Sequence, residues 1–173
     1  MDGIRLATAH DSAAVLTFYE SAIESMRANL GGGWKKGVYP TGAYLDQMIA
    51  QQELFLLLEE GAILAAVVLN HRADDAFYKA AWQVDAKPEE VLVVHTLASS
   101  PDRHRTGLAS RMMDFAAELG RARGCKALRL DVWGPNKPAH AFYQKNGFRP
   151  GETIRMYYED TGLDNFTLYE RLL

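Results

Sequence analysis

Two stretches of the 173-residue chain combine residue types and spacings that could do chemistry. In the first, Leu97-Ala98-Ser99-Ser100-Pro101-Asp102-Arg103-His104-Arg105-Thr106-Gly107-Leu108-Ala109, a strand pattern ends, a short basic loop follows, and a helix pattern begins on small residues. Free amides at a helix N-terminus point at one spot and carry partial positive charge, so an anion is favoured there. Gly107 and Ala109 would let a phosphate approach the backbone, and Arg103, His104 and Arg105 add positive potential. The same residues suit an ordinary strand-to-helix turn with a solvated basic cap.

The second stretch runs from Leu130-Asp131-Val132-Trp133 through Gly134-Pro135-Asn136-Lys137-Pro138-Ala139-His140-Ala141 to Phe142-Tyr143-Gln144-Lys145-Asn146-Gly147-Phe148. Asn136 is a good N-cap for a helix that Pro138 begins. Phe142 and Tyr143 are adjacent on that helix and point about 100° apart, so both cannot face the centre of one interface. Tyr143 also carries a hydroxyl that needs a partner if buried. A cleft-facing phenol and a plain core residue both fit.

Other residues have two readings each. His95, in Val94-His95-Thr96-Leu97, could act as a base or be a satisfied interior histidine. Trp34, Trp82 and Trp133 could line a substrate pocket or simply fill the core. The run Gly31-Gly32-Gly33-Trp34-Lys35-Lys36 is not a phosphate loop of the GxxxxGK[ST] type, because Gly37 is followed by Val38. It reads as a mobile linker near a substrate opening. The segment from 71 to 90 would shape the same side with Asp74, Asp75, Asp85 and Trp82.

The elements that must position these residues are mostly legible. Ile4-Arg5-Leu6 alternates like a strand, and Thr8 with Asp11 three residues on reads as a capping box. Val15, Phe18, Tyr19, Ala22, Ile23 and Met26 follow at helical spacing, and Gly31 to Gly33 end that helix. Pro40-Thr41 opens a second helix running to about Gln52. Leu54 to Leu58 and Ile63 to Leu69 read as buried strands joined at Glu59-Glu60-Gly61. In 71 to 90, Phe77-Tyr78 and Trp82 to Val84 suggest strand, while Asp74-Asp75 and Lys87-Pro88 say loop. Val91 to Val94 is a strand, and Leu108, Met112, Phe115, Leu119 and Ala122 share one helix face that Gly124 terminates. Ala127 to Val132 is a strand, Pro138 to Asn146 a short helix, and Thr153 to Tyr158 and Phe166 to Arg171 final strands. The order βααβββαβαββ predicts one α/β domain over residues 1–173, built on a mixed, mostly antiparallel twisted sheet flanked by helices.

Composition bounds the function. Nineteen Lys and Arg against 22 Asp and Glu leave a net charge of −3, which gives no general attraction to nucleic acid or acidic membranes. The aliphatic run Ala62 to Leu69 is far too short to span a bilayer. The start, MDGIRLATAHD, lacks the apolar core of a secretory signal, so a cytoplasmic protein is expected, and the sequon at Asn165 carries no meaning there. One cysteine, Cys125, excludes an internal disulfide and a multi-cysteine metal site.

Taken together, the two stretches resemble the GNAT superfamily of acyl-CoA-dependent N-acetyltransferases. In that family a strand with the pattern Leu-Ala-Val-x-Pro leads into an [Arg/Gln]-x-x-Gly-x-[Gly/Ala] loop that holds the CoA pyrophosphate. Here Leu97-Ala98-Ser99-Ser100-Pro101 is followed by His104-Arg105-Thr106-Gly107-Leu108-Ala109. The later family pattern, Asn-x-x-Ala-x-x-Phe-Tyr-x-x-x-Gly-Phe, matches at Asn136, Ala139, Phe142, Tyr143, Gly147 and Phe148. Two departures stand out: His104 takes the usual Arg/Gln position, and Ser99 replaces an aliphatic residue.

The resemblance implies an acetyl-CoA co-substrate held by Leu97, Ala98, Ser99, His104 to Ser110, Asn136, Ala139 and Tyr143, with the pantetheine arm pairing to backbone at Leu97 and Ser99. It implies direct transfer to a primary amine of a small molecule or peptide in a ternary complex, with no metal. Tyr143 would protonate the departing thiolate, its pKa near the ordinary value of about 10, and His95, or a water it orders, would take the amine proton. No nucleic-acid or membrane partner is expected, and nothing in the chain excludes a homodimer. The competing expectation is a non-catalytic acyl-CoA-binding or sensory module on the same fold.

Overall fold

Helix starts follow the capping chemistry of the sequence. In the computed structural model, which describes residues 3–103 and 106–173, the Asp11 carboxylate accepts from the Thr8 N–H at 2.8 Å and the Thr8 hydroxyl at 2.9 Å. Arg5 adds a two-pronged contact to the same carboxylate, at 2.8 Å from each nitrogen. One 3₁₀ turn, Ala9–Asp11, then leads into α1 (Ser12–Leu30). Gly31 closes α1 in the left-handed conformation at φ +68°, as a helix C-terminus favours. Thr41 caps α2 (Gly42–Ala50) by accepting from the Tyr44 N–H at 3.1 Å.

The described residues fall into two compact units, the first running to Leu69 and taking up His95–Phe115. Within it β1 (Gly3–Leu6) pairs antiparallel with β2 (Leu54–Glu59), from Gly3↔Leu58 to Leu6↔Phe55. β2 pairs with β3 (Ala62–Asn70) through a hairpin whose Glu60 and Gly61 both have positive φ, the mirror-image turn that matches strand twist. Val15, Phe18, Tyr19 and Ala22 of α1 meet Leu45, Met48 and Ile49 of α2 over Leu54, Leu56, Leu58, Ala66 and Val68. Each large side chain buried this way contributes about 1.5–3 kcal/mol. Phe55 points to the opposite face and meets Phe115 at 5.1 Å between ring centroids. With both faces covered, β2 reads as a continuous apolar run.

The second unit comprises Asn70–Val94 and Ala116–Leu173. The first residues of β4 (Val91–Ser99) pair parallel with β5 (Ala127–Trp133), from Val91↔Ala127 to Val93↔Arg129. β5 then pairs antiparallel with β7 (Gly162–Leu172), which forms a hairpin with β6 (Arg149–Tyr158). α4 (Leu108–Ala122) precedes β5, and α5 (Lys137–Lys145) follows it. Phe77, Val91, Val93, Met156, Phe166 and Leu168 form the buried cluster on one face.

Among the described residues seven strands take the order β1-β2-β3-β4-β5-β7-β6, the mostly antiparallel sheet flanked by helices that the sequence predicts. Two elements differ from expectation. Asp75–Lys79 forms a short helix, α3, where strand and loop signals competed; Asp74 caps it by accepting from the Ala76 N–H at 2.9 Å. Strand β6 begins at Arg149 rather than near Thr153. A register shift between Pro150 and Thr153 absorbs Pro150 and Gly151, a position where an edge strand tolerates them.

Candidate active site

In the first unit the chain from Thr96 to Ser110 is shaped by two unusual backbone positions. Thr96 lies inside β4 with φ +49° and is buried, a rare conformation for a β-branched residue. Its carbonyl oxygen accepts a 2.8 Å hydrogen bond from the fully buried Tyr19 hydroxyl. Leu97 and Ser99 after it are half-buried, and Ala98 packs into the α1–α2 core. A 3₁₀ turn, Pro101–Arg103, ends the strand, and the Thr106 hydroxyl donates to the Arg103 carbonyl at 2.6 Å. Gly107 then takes φ +79°, and a Cβ there would meet nothing within 4 Å. Leu108 starts α4 buried, with Ala109 and Ser110 half-buried in its first turn. His104 and Arg105, two of the expected cofactor ligands, lie outside the described residues. His95, on β4, is half-buried.

In the second unit Asn136 caps α5, its side-chain oxygen accepting from the Ala139 N–H at 3.2 Å. That contact uses the oxygen for helix formation, and Ala139 beside it is half-buried. Tyr143 packs edge-on to Phe142 and Phe148, at 5.0 and 5.4 Å between centroids, and lies 6.3 Å from Tyr169. Burial, reinforced by the Asp131 carboxylate, pushes its phenol well above the ordinary tyrosine range. The expectation of a pKa near 10 therefore gives way to a phenol that holds its proton more firmly.

Asp131 was not singled out from the sequence. It points to the face of β5 that carries Arg129 and Trp133, and burial raises it to about 6. The Tyr158 hydroxyl donates to its carboxylate and opposes that shift, while the charges of Asp74 and Asp160 add to it. Its neighbours on the strand are committed elsewhere. The Arg129 Nε donates to Glu170 at 2.9 Å in a buried ion pair, and its guanidinium sits 4.3 Å over the Trp82 ring. Trp133 donates its indole N–H to Asp164 at 2.8 Å. The signal available in the sequence was a carboxylate between Leu130 and Val132 in the middle of an apolar strand.

The tryptophans are accounted for by packing. Trp34 contacts the Tyr19 and Tyr39 rings, and Trp82 donates to the Phe77 carbonyl at 2.6 Å. Among the described residues no group of three or more His, Cys, Asp or Glu side chains could hold a metal ion. Among them, too, no helix is long and apolar enough to cross a membrane.

Comparison with known proteins supplies the context for these positions. The structure superposes on an acetyltransferase of the GNAT family from Listeria monocytogenes with a TM-score of 0.77, at 20% identity over 98% of this chain and 94% of that one. It superposes on the ribosomal-protein-S18-alanine N-acetyltransferase of Escherichia coli with a TM-score of 0.68, at 20% identity over 99% and 94%. At these identities the likeness is one of fold. In sequence, 74 residues are 28% identical to an uncharacterized N-acetyltransferase of Methanocaldococcus jannaschii, covering 43% of this chain and 33% of that protein. The match thus spans about a third of the relative's length. Residues 16–148 match the acetyltransferase (GNAT) family as a whole, a span that takes in both the Leu97–Ser110 segment and Tyr143, and the chain belongs to that family.

Proposed function

We propose that this protein transfers an acetyl group from acetyl-CoA to a primary amine by direct attack in a ternary complex. The observation that carries the reading is the turn at Thr106 and Gly107 that opens α4. Gly107 has left-handed backbone and a Cβ there would meet nothing within 4 Å, which leaves room for a pyrophosphate to approach the start of α4. In this reading His104 to Ser110 hold the phosphates, and backbone at Leu97 and Ser99 pairs with the pantetheine arm. Ala98, Asn136 and Ala139 shape the walls of the cofactor site.

Holding both substrates together removes much of the entropic barrier, up to about 7–11 kcal/mol in ideal geometry. The amine nitrogen attacks the thioester carbonyl, the C–N bond forms and the C–S bond breaks. The Tyr143 phenol, protonated because burial and a nearby carboxylate disfavour its anion, gives its proton to the departing sulfur. His95, on β4, is the base that the sequence offers for the amine proton. We place the protein in the cytoplasm, acting on a small-molecule or peptide amine without a metal, and as one functional domain.

The test is release of free CoA, followed with a thiol reagent, from acetyl-CoA and a panel of amino-acid amides, diamines and short peptides. Amine-dependent release supports transfer. Tight acetyl-CoA binding with no release for any amine would instead mark an acyl-CoA-binding or sensory module.

A further inference from the structure

We infer that His140 is the positioning residue that sets the Tyr143 hydroxyl in place, by tying α5 to β7 and to the turn that ends β5. The inference rests on the acetyl-transfer reading, in which Tyr143 protonates the departing thiolate, and names the group that holds that acid.

α5 is nine residues long and none of them reaches full burial, so apolar packing alone gives it little purchase on the sheet. Hydrogen bonds do the holding. The buried Tyr169, opposite Leu130 in the β5–β7 ladder, stands against the helix as a post. The His140 Nδ1 lies 2.8 Å from its hydroxyl, and the Gln144 side-chain amide donates to the same oxygen at 3.3 Å. On the other side of the ring, the His140 Nε2 lies 3.2 Å from the Trp133 carbonyl and 3.2 Å from the Gly134 carbonyl. Residues three and four apart are neighbours on a helix surface, so Tyr143 follows His140 on the face that is gripped. The Tyr143 ring is 6.3 Å from the Tyr169 ring, and the His140 ring is 5.7 Å from it.

Donor and acceptor roles follow from the partners. A carbonyl can only accept, so Nε2 carries a proton and shares it between the two carbonyls. The Tyr169 oxygen takes the Gln144 amide proton, and its own proton needs an acceptor inside the fold. Nδ1 supplies it. The chain therefore runs one way, from Gln144 through Tyr169 and His140 to the end of β5. The Trp133 carbonyl also accepts from the Asn136 N–H at 2.9 Å, and the Gly134 N–H donates to the Asn165 carbonyl at 2.8 Å. One imidazole thus joins α5 to its own N-cap turn and to β7. Without it the helix is free to turn or slide on the sheet, and a displacement of about 1 Å at a reacting group costs about 10²-fold in rate. His140 acts only through Tyr143.

The experiment measures kcat and KM for acetyl-CoA in wild type, His140→Ala, His140→Gln and Tyr169→Phe, by CoA release with the amine of the panel that reacts fastest. Each substitution is made again in a Tyr143→Phe background, and circular dichroism establishes that the proteins are folded. His140→Ala is expected to lose about 10–10²-fold in kcat, with KM for acetyl-CoA little changed. His140→Gln keeps an N–H donor for the two carbonyls and is expected to recover part of the loss. Tyr169→Phe removes one oxygen, keeps the ring and is expected to show a smaller loss; it carries the comparison should His140→Ala fail to fold. In the Tyr143→Phe background the same substitutions are expected to change the residual rate by less than about twofold, because groups that act through one another are not additive. Two-bond ¹⁵N–¹H spectra of the His140 ring are expected to show Nε2 protonated and Nδ1 bare. Losses of equal size with and without the Tyr143 hydroxyl would make His140 a plain structural residue and overturn the inference while leaving acetyl transfer standing. Wild-type kcat in His140→Ala, or a ring protonated at Nδ1 alone, would do the same. No CoA release by the wild type with any amine would overturn the transfer reading, and the positioning role with it.

Discussion

The Tyr19 hydroxyl, at the centre of α1, donates a 2.8 Å hydrogen bond to the carbonyl oxygen of Thr96, a β4 residue held at φ +49°. Left-handed backbone costs an L-residue about 1–2 kcal/mol, and here the carbonyl it turns inward meets a fully buried donor. The bond fixes the backbone immediately before Leu97 to Ser99, the residues proposed to pair with the pantetheine arm. Tyr19→Phe keeps the ring and leaves that carbonyl without its donor. The expected outcome is a loss of about 1–3 kcal/mol in unfolding free energy measured with urea, with acetyl-CoA affinity reduced severalfold by calorimetry.

Gly107 tests the proposed phosphate site. Its surroundings are open but its φ of +79° disfavours any side chain, so strain and charge must be separated. Gly107→Asn tolerates left-handed backbone and should retain most acetyl-CoA affinity. Gly107→Glu adds a negative charge where phosphates would approach, and should abolish binding in calorimetry while the fold persists by circular dichroism. Unchanged affinity in a folded Gly107→Glu protein would remove the phosphates from this turn.

Tyr143→Phe isolates the proposed proton donor. The ring contacts with Phe142, Phe148 and Tyr169 are kept, so stability should barely move. kcat is expected to fall about 10²–10⁴-fold, with acetyl-CoA affinity close to wild type. Burial holds the phenol above the ordinary range, so no basic limb from Tyr143 should enter the wild-type pH profile below about pH 10. Wild-type turnover by Tyr143→Phe would make the phenol a packing residue and leave the thiolate to a water.

Asp131 also makes a stability prediction independent of any substrate. Its folded pKa of about 6 lies above its unfolded value of about 4. The folded protein therefore holds the proton more tightly, which favours folding below pH 4, and that advantage is lost as pH rises through 6. Asp131→Asn is uncharged and keeps an acceptor for Tyr158. It should be more stable than wild type by about 1–2 kcal/mol above pH 7, reduced from the full shift because the side chain is half-buried. The difference should vanish below pH 4. Urea denaturation at pH 4 and pH 7.5 reads both, and equal stability of the two proteins at pH 7.5 would contradict the shifted pKa.

What the sequence determined by itself was local. The Thr8 and Asp11 pairing, the Thr41 and Asn136 caps, the left-handed glycines at 31 and 107 and the apolar runs of β2 and β3 each depend on residues within a few positions. Those interactions survive whatever the distant chain does, and the two motifs that identify the family are of the same local kind. Tertiary structure decided the rest. α3 is five residues long, too short for a periodic pattern, and Asp74 with the packing of Phe77 settles it. The β6 register depends on a partner strand that absorbs Pro150 and Gly151. The inverted Thr96 backbone depends on Tyr19, 77 residues away. Nothing in the β5 sequence set Asp131 apart, because the groups that tune it, Asp74, Tyr158 and Asp160, come from other elements. Burial and charge are sums over neighbours in space, and only the folded chain brings those neighbours together.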